Sequence, residues 1–196
     1  MLGTHALGRG YMAWLYTFNL QVFELTWFDR RGSEEPRFLM DNLSQQQESK
    51  SGVGAADCRL LVATVSYLEF LPLGGVIRLR ELNSRLISSY VTKGLPILTG
   101  LSATFLYRCA REYGSHDDYD DIRGERAGHF VVVHGYDRRT RHVTVADPLA
   151  GNPGFSSQQY SVSMSRLVAS IMLGVLTHDA NLLVIEPRER GHADTA

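Results

Sequence analysis

The chain has 196 residues and a mass of 21.9 kDa, with 44% apolar and 21% charged residues, a globular rather than a disordered composition. Twenty Lys and Arg against 21 Asp and Glu leave a net charge of −1, which argues against a nucleic-acid binder working through a broad basic face. Two cysteines, Cys58 and Cys109, are too few for a disulfide framework and too scattered for a zinc site, so they read as free thiols in a reducing compartment, with a cytoplasmic location expected. No run approaches the about 18 apolar residues of a membrane span, and the first ten residues lack the charged start and apolar run of a secretory signal.

In chain order, the aromatic run Tyr11 to Phe18 predicts a buried strand close to the start of the chain. Ser33-Glu34-Glu35-Pro36 predicts a helix start, with Ser33 as cap and the helix running to about Gln47. A loop is expected over Ser49 to Gly54. A stronger helix is expected from Ala55 to Leu71, with Cys58, Leu61, Val62, Val65, Leu68 and Phe70 near helical spacing as its apolar stripe, ended by Pro72 and Gly74-Gly75. Val76 to Leu79 predicts a short strand, and Asn83 or Ser84 caps a helix that Gly94 stops.

From Leu95 the pattern turns to strands: Leu95 to Thr99, then Gly128 to Tyr136, a polar turn over Asp137 to Arg141, and a returning strand over His142 to Ala146. Ser165 to Leu173 predicts an amphipathic helix and Asn181 to Glu186 a last strand, with Arg188 to Ala196 a frayed tail. Helices first and an antiparallel sheet second make an α+β domain, expected as one unit over residues 1–187. The segment Tyr113 to Arg126 carries four aspartates within five residues and reads as a surface loop long enough to cover a cleft.

His129 opens the clearest strand and Asp147 follows its hairpin partner. In an antiparallel hairpin the start of one strand lies beside the end of the next, so the two are expected as neighbours. A carboxylate beside an imidazole fixes the tautomer and stabilises the imidazolium, which is what a general base needs. Other constellations carry less. His129 and His134 are five apart on one strand and point to opposite faces, so they do not chelate, and no metal or other cofactor is expected. Glycine-rich phosphate loops are absent. The aromatic stretch Trp14, Tyr16, Phe18, Phe23, Trp27 and Phe28 reads as core, with a peptide-binding wall as the alternative.

The segments Gly128-His129-Phe130-Val131-Val132-Val133-His134-Gly135-Tyr136-Asp137 and Val143-Thr144-Val145-Ala146-Asp147-Pro148, preceded by Gly94-Leu95-Pro96-Ile97-Leu98, resemble the His and Asp strands of papain-like cysteine peptidases. They are most similar to the bacterial bacteriocin-processing, double-glycine peptidase family, over roughly Gly94 to Pro187. The resemblance implies a papain-like fold and hydrolysis of peptide or amide bonds by a Cys-His-Asp mechanism. His129 would be the base, Asp147 its orienting acid, and a Gln ahead of the Cys an oxyanion donor. The nucleophile has no match: Cys58 lacks the following Gly and the preceding Gln, and Cys109 comes after the Gly94–Leu98 strand, so both are expected as small buried thiols. The resemblance leads one to expect a nucleophile helix ahead of Tyr11. The expectations are a peptidase whose Cys lies in preceding sequence, or a catalytically silent module that binds a peptide or peptide-like ligand.

Overall fold

The computed structural model describes residues 2–28, 35–50, 58–116, 118–174 and 181–188. It is a mixed α+β structure, and its contacts divide the chain into two compact units: Met1–Leu15, Leu20–Arg78 and Ile185–Ala196 in one, Tyr16–Asn19 and Leu79–Val184 in the other.

The first unit opens with helix α1 (Leu2–Gly8) and strand β1 (Tyr11–Thr17), whose Ala13 and Leu15 are buried. After a short 3-10 turn, Leu25–Trp27, come α2 (Pro36–Lys50), α3 (Cys58–Phe70) and β2 (Val76–Arg78). Strands β2, β1 and the later β9 (Asn181–Pro187) are neighbours in that order. Phe23 anchors an aromatic cluster, with Trp27, Phe28 and Tyr67 ring centroids 6.3, 5.8 and 4.8 Å away. Of the aromatic stretch expected as core, Tyr16 and Phe23 are buried.

Helix α2 differs from expectation at its C-terminal end. It runs through Lys50, past Gln47 and into the expected loop. The reason is local: no Gly or Pro falls between Arg37 and Lys50, and Lys50 Nζ donates to Gln46 Oε1 at 3.2 Å while Ser49 Oγ donates to the Gln46 carbonyl at 3.0 Å. The proposed cap Ser33 and the start of the next helix at Ala55 lie outside the described residues, as does the side chain of Cys58.

Helix α3 buries Phe70 of the expected stripe but turns Val62 and Val65 of that stripe outward. Thr64, Tyr67, Phe70 and Leu71 point inward, whereas Val62 is 68% exposed and Val65 43% exposed. A count of apolar residues alone missed this because the inward stripe contains a threonine and a tyrosine. Phe70 is held against the turn that ends the helix: a Cβ on Gly75 would lie 2.4 Å from its ring, so only glycine fits there.

The second unit holds α4 (Ser84–Val91), β3 (Ile97–Ser102), α5 (Ala103–Tyr107), β4 (Glu112–Tyr113), β5 (Asp118–Tyr119), β6 (Gly128–Asp137), β7 (His142–Ala146), β8 (Gln159–Ser163) and α6 (Met164–Leu173). Asn83 caps α4 by accepting from the Leu86 N–H at 3.0 Å. The strand order is β9-β3-β6-β7-β8 with every pair antiparallel. Ile97, Leu101, Val131, Val133, Val143 and Val145 supply the buried face, and Leu106, Leu167 and Ile171 the helical side of the core. Strands β4, β5 and β8 and helix α5 are the elements of this unit that sequence patterning left out.

The acidic segment is more ordered than a plain loop. It contains the β4–β5 hairpin, and Asp120 organises the next turn by accepting from the N–H groups of Ile122 and Arg123 at 2.9 and 2.8 Å. The Arg123 guanidinium pairs with Asp120 at 2.6 Å and lies over the Tyr113 ring. Aspartate accepting from its own following backbone is a turn-forming device, so Asp120 builds local structure here. Among the described residues, no helix is long and apolar enough to cross a membrane.

Phe70→Ala is expected to cost about 3–5 kcal/mol in urea denaturation, and Val62→Ala less than about 0.5 kcal/mol. Equal costs would contradict the inward face assigned to α3.

Candidate active site

The site begins with strand register. Val132 faces Ala146 across the β6–β7 ladder, so Val131 faces the position just past β7, which is Asp147. His129 is two residues before Val131 on the same face, a diagonal neighbour within reach of a side chain. The structure brings the two expected residues together: His129 Nε2 lies 2.8 Å from Asp147 Oδ1. The Asp147 side chain has no exposed surface, and that of His129 keeps 18%.

A carboxylate that has left water needs donors for all its lone pairs. Asp147 has four. Oδ1 accepts from His129 Nε2 and from the Leu149 N–H at 2.9 Å. Oδ2 accepts from the Tyr107 hydroxyl at 2.7 Å and the Tyr160 hydroxyl at 2.8 Å. Its backbone is clamped as well: the Asp147 N–H donates to the Gln158 carbonyl at 2.8 Å, and Gln158 Nε2 donates to the carbonyls of Asp147 and Pro148 at 3.2 and 3.0 Å.

Burial alone would push the Asp147 carboxyl up. The hydrogen bonds from His129, Tyr107, the Leu149 N–H and Tyr160 outweigh it and hold the group below its ordinary value. The same pairing acts in reverse on the phenols. Burial, followed by the bond to the Asp147 anion, raises Tyr107 and Tyr160 far above the ordinary tyrosine range, so both stay protonated donors. Because an ionised carboxylate only accepts, the proton between His129 and Asp147 belongs to Nε2, and in the neutral ring Nδ1 carries the lone pair.

The two tyrosines were not legible as site residues. Tyr107 ends α5, and Tyr160 sits on β8 with its neighbour Val162 in strand alternation, the one signal that could have found it. The loop between β7 and β8 locks them. Asn152, itself buried, accepts from the Phe155 N–H at 2.9 Å and donates to the Ser157 carbonyl at 3.2 Å. Phe155 then stacks on Tyr160 at 3.6 Å between centroids and meets Tyr107 edge-on at 6.3 Å. Gly154 allows this closeness, since a Cβ there would stand 2.7 Å from Tyr107 Cα.

Cys109 follows α5 as a free thiol of intermediate burial. Burial pushes its thiol up and Glu112 adds to the rise, the opposite of what an activated thiolate needs. His134 is exposed, at the point of β6 where the register with β7 shifts between Val133 and Gly135. No group of three or more His, Cys, Asp or Glu is arranged to hold a metal among the described residues.

The family model of the Peptidase_C39 like family matches residues 79–168. That stretch, just under half of the chain, lies inside the second unit and contains His129, Asp147, Tyr107 and Tyr160. A solved structure described as a C39-like peptidase from Bacillus anthracis aligns at a TM-score of 0.31 and 18% identity, over 53% of this chain and 47% of that one. No curated protein matches. The resemblance read from the His and Asp strands points to the same family as this match: residues 79–168 are similar to the Peptidase_C39 like family.

Tyr107→Phe and Tyr160→Phe are each expected to cost about 1.5–3 kcal/mol, the range for a hydrogen bond to a charged group, measured by urea denaturation at neutral pH. Gly154→Ala is expected to destabilise through displacement of Tyr107, read in the same measurement. The folded Asp147 carboxyl lies below its unfolded value, so its contribution is full above about pH 4 and is lost as pH falls through the folded value. Asp147→Asn is therefore expected to lower stability at pH 7 and to flatten the acid limb of the stability profile. An unchanged acid limb would contradict the lowered value.

Proposed function

We propose that the second unit is the His-Asp half of a cysteine-peptidase-like hydrolase acting on peptide or amide bonds. The observation that supports it most is the orientation of His129. Its Nε2–H is fixed on a buried, fully hydrogen-bonded carboxylate, and its Nδ1 lone pair is left to take a proton. In this reading Nδ1 accepts the proton of a nucleophile as that atom attacks a carbonyl carbon. The imidazolium so formed is stabilised by Asp147 and returns the proton to the leaving amine. Tyr107 and Tyr160 act through Asp147 as positioning residues.

The reading requires a thiol brought to Nδ1. Cys109 is a poor match, with its raised thiol, and the side chain of Cys58 lies outside the described residues. A peptide is the proposed ligand and the bacterial cytoplasm the proposed location, the latter supported by the free thiol of Cys109.

The test uses the protein isolated at its full native length, with hydrolysis of a peptide library followed by mass spectrometry. His129→Ala is expected to lower kcat about 10²–10⁴-fold, the usual contribution of a general base. Asp147→Asn is expected to lower kcat with little change in KM. Hydrolysis that survives His129→Ala would overturn the assignment. Saturable peptide binding with no hydrolysis in the wild type would replace it with the silent binding module.

A further inference from the structure

An open cavity of about 360 Å³ in the second unit is lined by Arg108, Arg166, Thr104, Phe105, Ser163 and Ser165. Its lining contains two guanidinium groups and three hydroxyls and no carboxylate. Among the described residues neither arginine forms an ion pair. Arg166 Nη2 donates to the Leu106 carbonyl, and the guanidinium lies over the Phe155 ring at 5.5 Å. Its Nε is buried and has no hydrogen-bond partner. A buried guanidinium donor without an acceptor is costly and calls for an explanation. Arg108 adds a second positive charge, from the left-handed residue (φ 58°) that terminates α5.

We propose that this cavity is an oxyanion site, in which Arg108 and Arg166 hold a carboxylate or phosphate group of a small ligand. Guanidinium forks match the geometry of both groups, and the pair of like charges is neutralised when an anion enters. Burial, followed by the like charge of Arg108, pulls Arg166 below its ordinary value, a penalty an anion relieves. The hydroxyls face the same space: Ser163 caps α6 by accepting from the Arg166 N–H, and its oxygen lies 3.3 Å from that of Ser165. The positive end of α6, a ten-residue helix, adds to the field there. The site stands independently of the reading given to His129.

The test is isothermal titration calorimetry on the full chain at constant ionic strength. Inorganic phosphate is one titrant, N-acetylglutamate a second, and chloride the control. Saturable one-to-one binding of phosphate or of N-acetylglutamate, absent with chloride, is expected, and which of the two binds tells the source of the oxyanion. Arg108→Asn is expected to weaken binding at least about tenfold. Asparagine tolerates the left-handed backbone at that exposed position, so the variant is expected to keep its fold. Arg166→Gln is expected to abolish binding, with far-UV circular dichroism confirming the fold. Absence of saturable binding by either oxyanion, or undiminished binding by a folded Arg108→Asn, would overturn the site.

Discussion

Taking an ionised carboxylate out of water is among the most expensive steps a fold can make, and the second unit makes it at Asp147. The cost is met by four donors that come from four different places in the chain: the start of β6, the backbone after β7, the end of α5 and the start of β8. Each of these elements is constrained by where its donor has to be. The loop between β7 and β8, the stacked Phe155 and the side-chain-free Gly154 all serve to set two hydroxyls on one oxygen. The result is an imidazole whose orientation and tautomer follow from its partner rather than from its own freedom.

The arrangement also divides labour between carboxylate oxygens. Oδ2 takes both tyrosines and lies on the structural side, while Oδ1 takes His129 and one backbone N–H. Loss of a tyrosine leaves the imidazole bond in place but removes one of the donors that hold the Asp147 carboxyl below its ordinary value. Phe155 is shared between this cage and the arginine-lined cavity, with Tyr160 stacked on it and Arg166 over its ring. The Phe155–Tyr160 stack therefore touches two groups of opposite charge, Asp147 and Arg166.

The parts of this site that were legible in the sequence are the ones that arise locally. A hairpin places its two ends together whatever the rest of the chain does, so His129 and Asp147 could be paired from strand patterning and a short polar turn. Tyr107 and Tyr160 reach Asp147 from 40 and 13 residues away, through a five-residue helix and a strand that patterning passed over, and tertiary packing decides both. The inward face of α3 was misread for a related reason: Thr64 and Tyr67 are buried by their surroundings, while Val62 and Val65 stay outside despite being apolar. In the acidic segment Asp120, part of what looks like a solvated run, accepts local backbone hydrogen bonds that shape a turn, which composition does not show.

The central claim is that the Asp147 cage fixes His129 as the Nε2–H tautomer with Nδ1 as the proton acceptor. Long-range ¹⁵N–¹H correlation spectroscopy of the histidine rings at neutral and alkaline pH reads this directly, with His129→Gln to assign the signal. The account requires a protonated-type Nε2 and an unprotonated-type Nδ1 in the neutral ring, with the preference lost in Asp147→Ala. A neutral His129 carrying its proton on Nδ1, or averaging between the two nitrogens in the wild type, would contradict it.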